Sequence, residues 1–80
     1  NKQIAIIPNP NNGQFYIEYK GDKTIKGISI YSVDGRLIQM LKHTDTNKMI
    51  AIGGSYSGLC YNIVSYTDGT QEVIKMILNQ

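Results

Sequence analysis

The sequence predicts an all-β fold, an antiparallel β-sandwich of about seven strands. Three observations carry that expectation. Short apolar or alternating stretches recur roughly every ten residues, with turn residues between them. Asp34-Gly35 and Asp68-Gly69 each separate two such stretches and mark hairpins. No segment holds a sustained helical period with capping residues.

Ile4-Ala5-Ile6-Ile7 is the first strand, and Pro8-Asn9-Pro10-Asn11-Asn12-Gly13 stops it. Each proline lacks an N–H and fixes φ, so that segment is neither a central strand nor a helix. Asn11-Asn12-Gly13 offers residues that tolerate positive φ. Gln14 to Tyr19 follows, with Phe15, Ile17 and Tyr19 on one face, and then the polar turn Lys20 to Lys23. Lys26 to Ser32 alternates again, with Ile28 and Ile30 inward. After Asp34-Gly35 the chain returns through Arg36 to Lys42. A loop of two residues there puts Ile30 opposite Gln39 and Ile28 opposite Leu41. His43 to Asn47 is a polar connection, Met49 to Ile52 a fifth or edge strand, and Gly53 to Gly58 a loop.

The last third is the longest hairpin, Leu59 to Tyr66 against Gln71 to Leu78. A type I′ turn centred on Asp68-Gly69 pairs Tyr66 with Gln71, Val64 with Val73 and Leu59 with Leu78. One face then carries Leu59, Tyr61, Ile63, Ile74, Met76 and Leu78. A pair of strands is not stable alone in water, so the remaining chain must cover that face. The expected core includes Phe15, Ile17, Ile28, Ile30, Val64 and Ile77.

Residues 1–80 read as a single domain, near the lower size limit for folding on burial alone. A hydrophobic fraction of 41%, with six tyrosines and one phenylalanine, makes a modest core. The net charge of +2, with no basic stripe, argues against nucleic acid as a partner. The apolar runs are too short for membrane insertion. Asn1-Lys2-Gln3 reads as the cut edge of a longer chain.

Catalysis is not expected. The single cysteine, Cys60, excludes an internal disulfide and reads as a small buried hydrophobe. His43 sits in a polar loop, and the six carboxylates are scattered, mostly in turns where Asp serves the backbone. No cofactor and no metal are expected. Lys20, Lys23 and Lys26 crowd one turn and read as a solvated loop, with an anionic partner as the alternative.

Ile7-Pro8-Asn9-Pro10-Asn11-Asn12-Gly13-Gln14-Phe15, Ile28 to Leu37, Ser57-Gly58-Leu59, Asp68-Gly69-Thr70 and Lys75 to Leu78 occur in that order. In this the chain resembles the C-terminal sorting domains of the type IX secretion system of Bacteroidetes, over essentially its whole length. The resemblance implies an Ig-like sandwich of seven strands. It also implies a domain at the end of a longer secreted protein, without enzymatic activity of its own. The implied partners are the type IX translocon, its outer-membrane shuttle proteins and a cell-surface sortase. That sortase, in many members, cuts before the domain and joins the cargo to an anionic lipopolysaccharide. The implied route runs through the periplasm to the cell surface or the medium. The matching motif residues are Pro8, Asn9, Pro10, Gly13, Gly35, Arg36, Gly58 and Lys75.

The chain departs from the family pattern near its end. Cys60 stands where a Tyr is usual, Asn62 where an apolar residue is usual and Ile63 where a polar one is. The family pattern turns residues 60, 62 and 64 inward, whereas the turn count favours 59, 61 and 63, so the register stays open. Lys75 interrupts the apolar closing strand. It either guards an edge or pairs with a translocon carboxylate. The competing function is an Ig-like adhesion or carbohydrate-binding module, with Tyr16, Tyr31, Tyr56 and Tyr66 as its aromatic candidates.

Overall fold

The computed structural model describes residues 3–80. Its strands are β1 (Ile4–Ile7), β2 (Gln14–Tyr19), β3 (Ile25–Ser32), β4 (Leu37–Lys42), β5 (Met49–Ala51), β6 (Ser57–Tyr66) and β7 (Gln71–Asn79). The polar connection after β4 begins with one 3-10 turn, His43–Asp45. All strand pairs are antiparallel. They form two sheets, ordered β1-β2-β5 and β4-β3-β6-β7. In an immunoglobulin constant-type sandwich the fourth strand joins the first sheet. Here β4 pairs with β3, so the expected Ig-like sandwich takes a three-plus-four form.

The core lies between the sheets. Phe15 and Ile17 from β2 face Ile28 and Ile30 from β3, Val64 and Cys60 from β6, and Met76 and Leu78 from β7, all fully buried. Each such aliphatic or aromatic side chain contributes about 1.5–3 kcal/mol by leaving water. Five of the six residues expected in the core are there; Ile77 is not, being 44% exposed.

Ile77 and the final register share one cause. The turn after β6 is not a two-residue type I′ turn. Gly69 donates to the Tyr66 carbonyl at 3.1 Å, and Tyr66 donates to the Thr70 carbonyl at 2.9 Å. The loop is therefore Thr67-Asp68-Gly69, with Gly69 at φ 90 and Asp68 outside the positive region. This is the type I turn followed by a left-handed glycine that builds a bulge. The odd loop moves every pair by one residue: Cys60 faces Met76, Asn62 faces Ile74 and Leu59 faces Ile77. A one-residue slip exchanges the faces. Residues 60, 62 and 64 point inward, as the family pattern has it, and Leu59, Tyr61 and Ile63 point outward. The apolar face assembled by the turn count is split between the two sides of the sheet.

The β3–β4 hairpin repeats the device. Gly35, at φ 90, donates to Ser32 at 3.0 Å, and Ser32 donates to Arg36 at 2.8 Å, enclosing Val33-Asp34-Gly35. Yet Ile30 still faces Gln39 and Ile28 faces Leu41, as the two-residue count requires. A bulge at Ile38, between the pairs Tyr31–Leu37 and Ile30–Gln39, cancels the shift.

The outer face of the four-stranded sheet is apolar too. One cross-strand row runs Met40, Ser29, Ile63, Val73, and the next runs Leu37, Tyr31, Tyr61, Lys75.

Asn62 sits between Ile30 and Ile74 with no exposure. Neither its amide nitrogen nor its oxygen has a hydrogen-bond partner among the described residues. An unpaired buried amide costs about 1–3 kcal/mol. Asn62→Val is expected to stabilise the domain by about 1–3 kcal/mol. Chemical denaturation checks this; an unchanged or lower unfolding free energy would contradict it.

Candidate functional site

The β6–β7 ladder leaves alternate main-chain groups of β7 pointing away from the sheet. Such an edge is a template for strand addition unless it is covered. The Pro8-to-Gly13 crossover between β1 and β2 covers it. The Asn9 side chain acts as a strand surrogate. Its Nδ2 donates to the Lys75 carbonyl at 3.1 Å, and its Oδ1 accepts from the Ile77 N–H at 2.9 Å. Asn11 continues with its own backbone, donating to the Ile77 carbonyl at 3.1 Å and accepting from Asn79 at 2.8 Å. This is a short parallel bridge to Leu78. The crossover belongs to the three-stranded sheet by sequence and to the edge of the four-stranded sheet by bonding.

The crossover is braced from within. Asn11 Nδ2 donates to the Pro8 carbonyl at 3.0 Å, and Asn11 Oδ1 accepts from the Gly13 N–H at 2.9 Å. Of the residues expected to tolerate positive φ, only Gly13 uses it, at 107; Asn11 and Asn12 contribute side-chain turns instead. A Cβ on Gly13 would come within 2.9 Å of the Gln80 side chain and 3.0 Å of the Ile52 carbonyl. Gln80 Nε2 donates to the carbonyls of Ile52 and Gly53, at 3.0 and 3.1 Å. The glycine is thus where the crossover, the end of β7 and the residues after β5 meet.

The remaining motif residues lie at the same end. Gly35 and Arg36 form the β3–β4 turn. Gly58, at φ 140, lies beside Tyr56, with its missing Cβ 3.4 Å from the ring hydroxyl. That hydroxyl donates to the Leu59 carbonyl at 2.8 Å and accepts from the Val33 N–H at 3.3 Å. Tyr56 therefore ties the β3–β4 turn to the start of β6, much as a tyrosine corner does. The eight motif residues, far apart in sequence, gather around this end and the adjoining half of β7. Pro10 contributes its missing donor, and no side-chain contact is needed to explain it.

The electrostatics are modest. The Ser32 hydroxyl hydrogen-bonded to Asp34, with Arg36 beside it, holds the Asp34 carboxyl below its ordinary value. The Arg36–Asp34 ion pair, at 3.4 Å, is solvent-exposed and adds little stability. Burial pushes the Cys60 thiol up, which suits a core residue rather than a nucleophile. Lys20 pairs with Glu18 at 3.7 Å and Lys23 with Asp68 at 3.5 Å, so two lysines of the β2–β3 turn are matched within the chain. The four candidate tyrosines form no platform. Tyr16 is exposed on the three-stranded sheet, Tyr31 faces outward on the other, Tyr56 braces the loop, and Tyr66 is buried with its hydroxyl 2.6 Å from Glu72.

Sequence reasoning missed Asn11, Tyr56 and Gln80 as anchors. Asn11 lies inside the recognised motif and was within reach. For Tyr56 and Gln80 the partners are distant main-chain groups, which no local pattern announces.

Asn9 uses both ends of its amide, so Asn9→Asp is a sharp test. At neutral pH the carboxylate still accepts from Ile77 but faces the Lys75 carbonyl with a negative oxygen. The variant is expected to lose about 1–2 kcal/mol of stability at pH 7. Protonation restores a donor toward Lys75, so the folded state raises this carboxyl's pKa. Stability is then fullest below the unfolded value, near pH 4, and is lost as pH rises through the folded one. Urea unfolding at pH 3.5 and 7 reads the difference; an equal deficit at both would contradict the assigned bonding.

The description that matches the chain is "secretion system C-terminal sorting domain", over residues 5–79. No curated protein and no solved structure matches it. The match spans every strand except the first residue of β1, and with it the crossover, both glycine turns and the closing strand. The chain belongs to the family of C-terminal sorting domains of the type IX secretion system.

Proposed function

We propose that residues 1–80 are the terminal sorting module of a longer secreted protein. The module directs that protein from the periplasm across the outer membrane, to the cell surface or the medium. Its partners on this reading are the type IX translocon and the outer-membrane shuttle proteins. Cleavage before the domain by a cell-surface sortase, with attachment of the cargo, completes the route.

The observation that carries the reading is the convergence of Pro8, Asn9, Pro10, Gly13, Gly35, Arg36, Gly58 and Lys75 on one end of the sandwich. None of them is placed for chemistry. Most shape main chain or hold it, and the crossover that carries four of them bonds the last half of β7. A sorting signal needs a constant surface that is independent of its cargo, and a small sandwich with its own core provides one. The crossover leaves the main-chain groups of Val73 on the same edge without partners among the described residues. A partner strand has a short, defined place to begin pairing there.

Fusion of the 80-residue chain to a periplasmic reporter in a type IX-competent host tests the reading. The reporter is expected outside the cell with the chain and in the periplasm without it. Deleting Met76 to Gln80 should abolish delivery, because it removes the half of β7 that the crossover holds together with the core residues Met76 and Leu78. Lys75→Ala, which leaves the core and the Asn9 bond to the Lys75 carbonyl, should have a smaller effect. Equal surface delivery with and without Met76 to Gln80 would refute the proposal.

A further inference from the structure

We infer that the outer face of the four-stranded sheet docks against a protein surface that is apolar with a carboxylate set into it, which meets Lys75. The inference rests on the sorting reading and adds the face used and the chemistry it selects.

A solvated antiparallel sheet normally alternates, apolar inward and polar outward. Here the inner face is already complete, yet Tyr61, Ile63, Val73 and Ile77 occupy outward positions on β6 and β7. Val73 is 52% and Ile77 44% exposed. Leu37, Met40, Val73 and Ile77 share this face, while Ile7, Tyr16 and Met49 form a smaller exposed row on the other sheet; the larger of the two faces is the candidate for an interaction site.

The charge beside the β6–β7 half of the face has one sign. Lys75 lies in the row with Tyr31 and Tyr61, and Lys42 ends β4 at the far corner. The carboxylates lie elsewhere. Asp22, Asp34 and Asp68 are in turns, Glu72 is bonded to Tyr66, Glu18 is on the other sheet, and Asp45 accepts from the Lys42 N–H at 2.8 Å at the far corner, away from β7. Lys75 makes no ion pair among the described residues. Asn9 already covers the edge at the Lys75 carbonyl, so guarding is left to the open groups of Val73 beside it.

This separates the possible occupants. A second copy would bring lysine and apolar groups against the same set, with an acid only at the Lys42 corner, where Asp45 already accepts from the Lys42 N–H. A lipid surface calls for a cluster of cations or a deeply inserted apolar helix, and a flat sheet whose lysines, Lys26, Lys42 and Lys75, stand on three different strands is neither. A protein surface carrying an acid among aliphatic or aromatic side chains fits both features. The open main-chain groups of Val73 lie at the rim of the same face and add directional bonds.

The test uses the 80-residue chain fused to a reporter in a type IX-competent host. Lys75→Glu is expected to reduce delivery about tenfold, as losing one well-placed charge contact does. Val73→Thr with Ile77→Thr should give a comparable loss. Both variants should melt as the parent does, since these side chains lie outside the core. Ile7→Thr with Met49→Thr, exposed on the other sheet, should be delivered normally. Normal delivery of Lys75→Glu and of the Val73/Ile77 pair, with the parent delivered, would overturn the inference and leave the sorting reading standing. A parent fusion held in the periplasm would overturn both. Sedimentation showing a dimer broken by Val73→Thr would overturn it in favour of a second copy. Binding to phosphatidylglycerol vesicles that Lys75→Glu abolishes would overturn it in favour of lipid.

Discussion

The unpaired main-chain groups along the outer edge of β7 are the constraint on which the rest of this structure turns. β7 closes the larger sheet and has no strand beyond it among the described residues. Its edge groups need partners, and a bare edge invites strand addition. The crossover from β1 to β2 must also pass over this end of the sandwich. One segment meets both needs, because proline keeps it from becoming a strand or helix while Asn9 and Asn11 supply the bonds a strand would make. Gly13 then lets the segment lie against Gln80 and Ile52. The two sheets are joined here by hydrogen bonds, and not by apolar packing alone.

Asparagine is the tool the chain uses for this purpose more than once. An amide side chain carries a donor and an acceptor, like a peptide group. Asn9 presents them to β7. Asn47, at φ 58, presents them to Tyr19 on β2, accepting from its N–H at 3.0 Å and donating to its carbonyl at 3.3 Å. Asn62 shows what the same amide does without partners: buried between isoleucines, it weakens the core it occupies. The chain thus tolerates one costly amide inside while relying on several outside.

The strands were legible in the sequence because alternation and turn residues recur at strand spacing, and the strand count came out as expected. The final register was not. An Asp-Gly pair demands a glycine at positive φ, and Gly35 and Gly69 both have it, but the pair does not say whether the loop holds two residues or three. Alternation could not decide either, because both faces of β6 and β7 are apolar. Ile77 was misplaced for that reason. In the first hairpin the same misreading left no trace, since the bulge at Ile38 restored the pairing. The motif residues were legible through family resemblance. Their convergence was not, because Asn9 meets Lys75 across most of the chain length, and nothing local encodes that contact. The outer face became visible as a surface only once the register was known.

The crossover, and not solvent, satisfies the second half of the β7 edge. Amide hydrogen exchange along β7 of the native chain measures this directly. The Ile77 and Asn79 amides, bonded to Asn9 and Asn11, are predicted to exchange as slowly as those of Met76 and Leu78, which face β6. The Val73 amide, on the same edge but beyond the crossover, is predicted to exchange fast. Ile77 and Asn79 exchanging as fast as Val73 would contradict it.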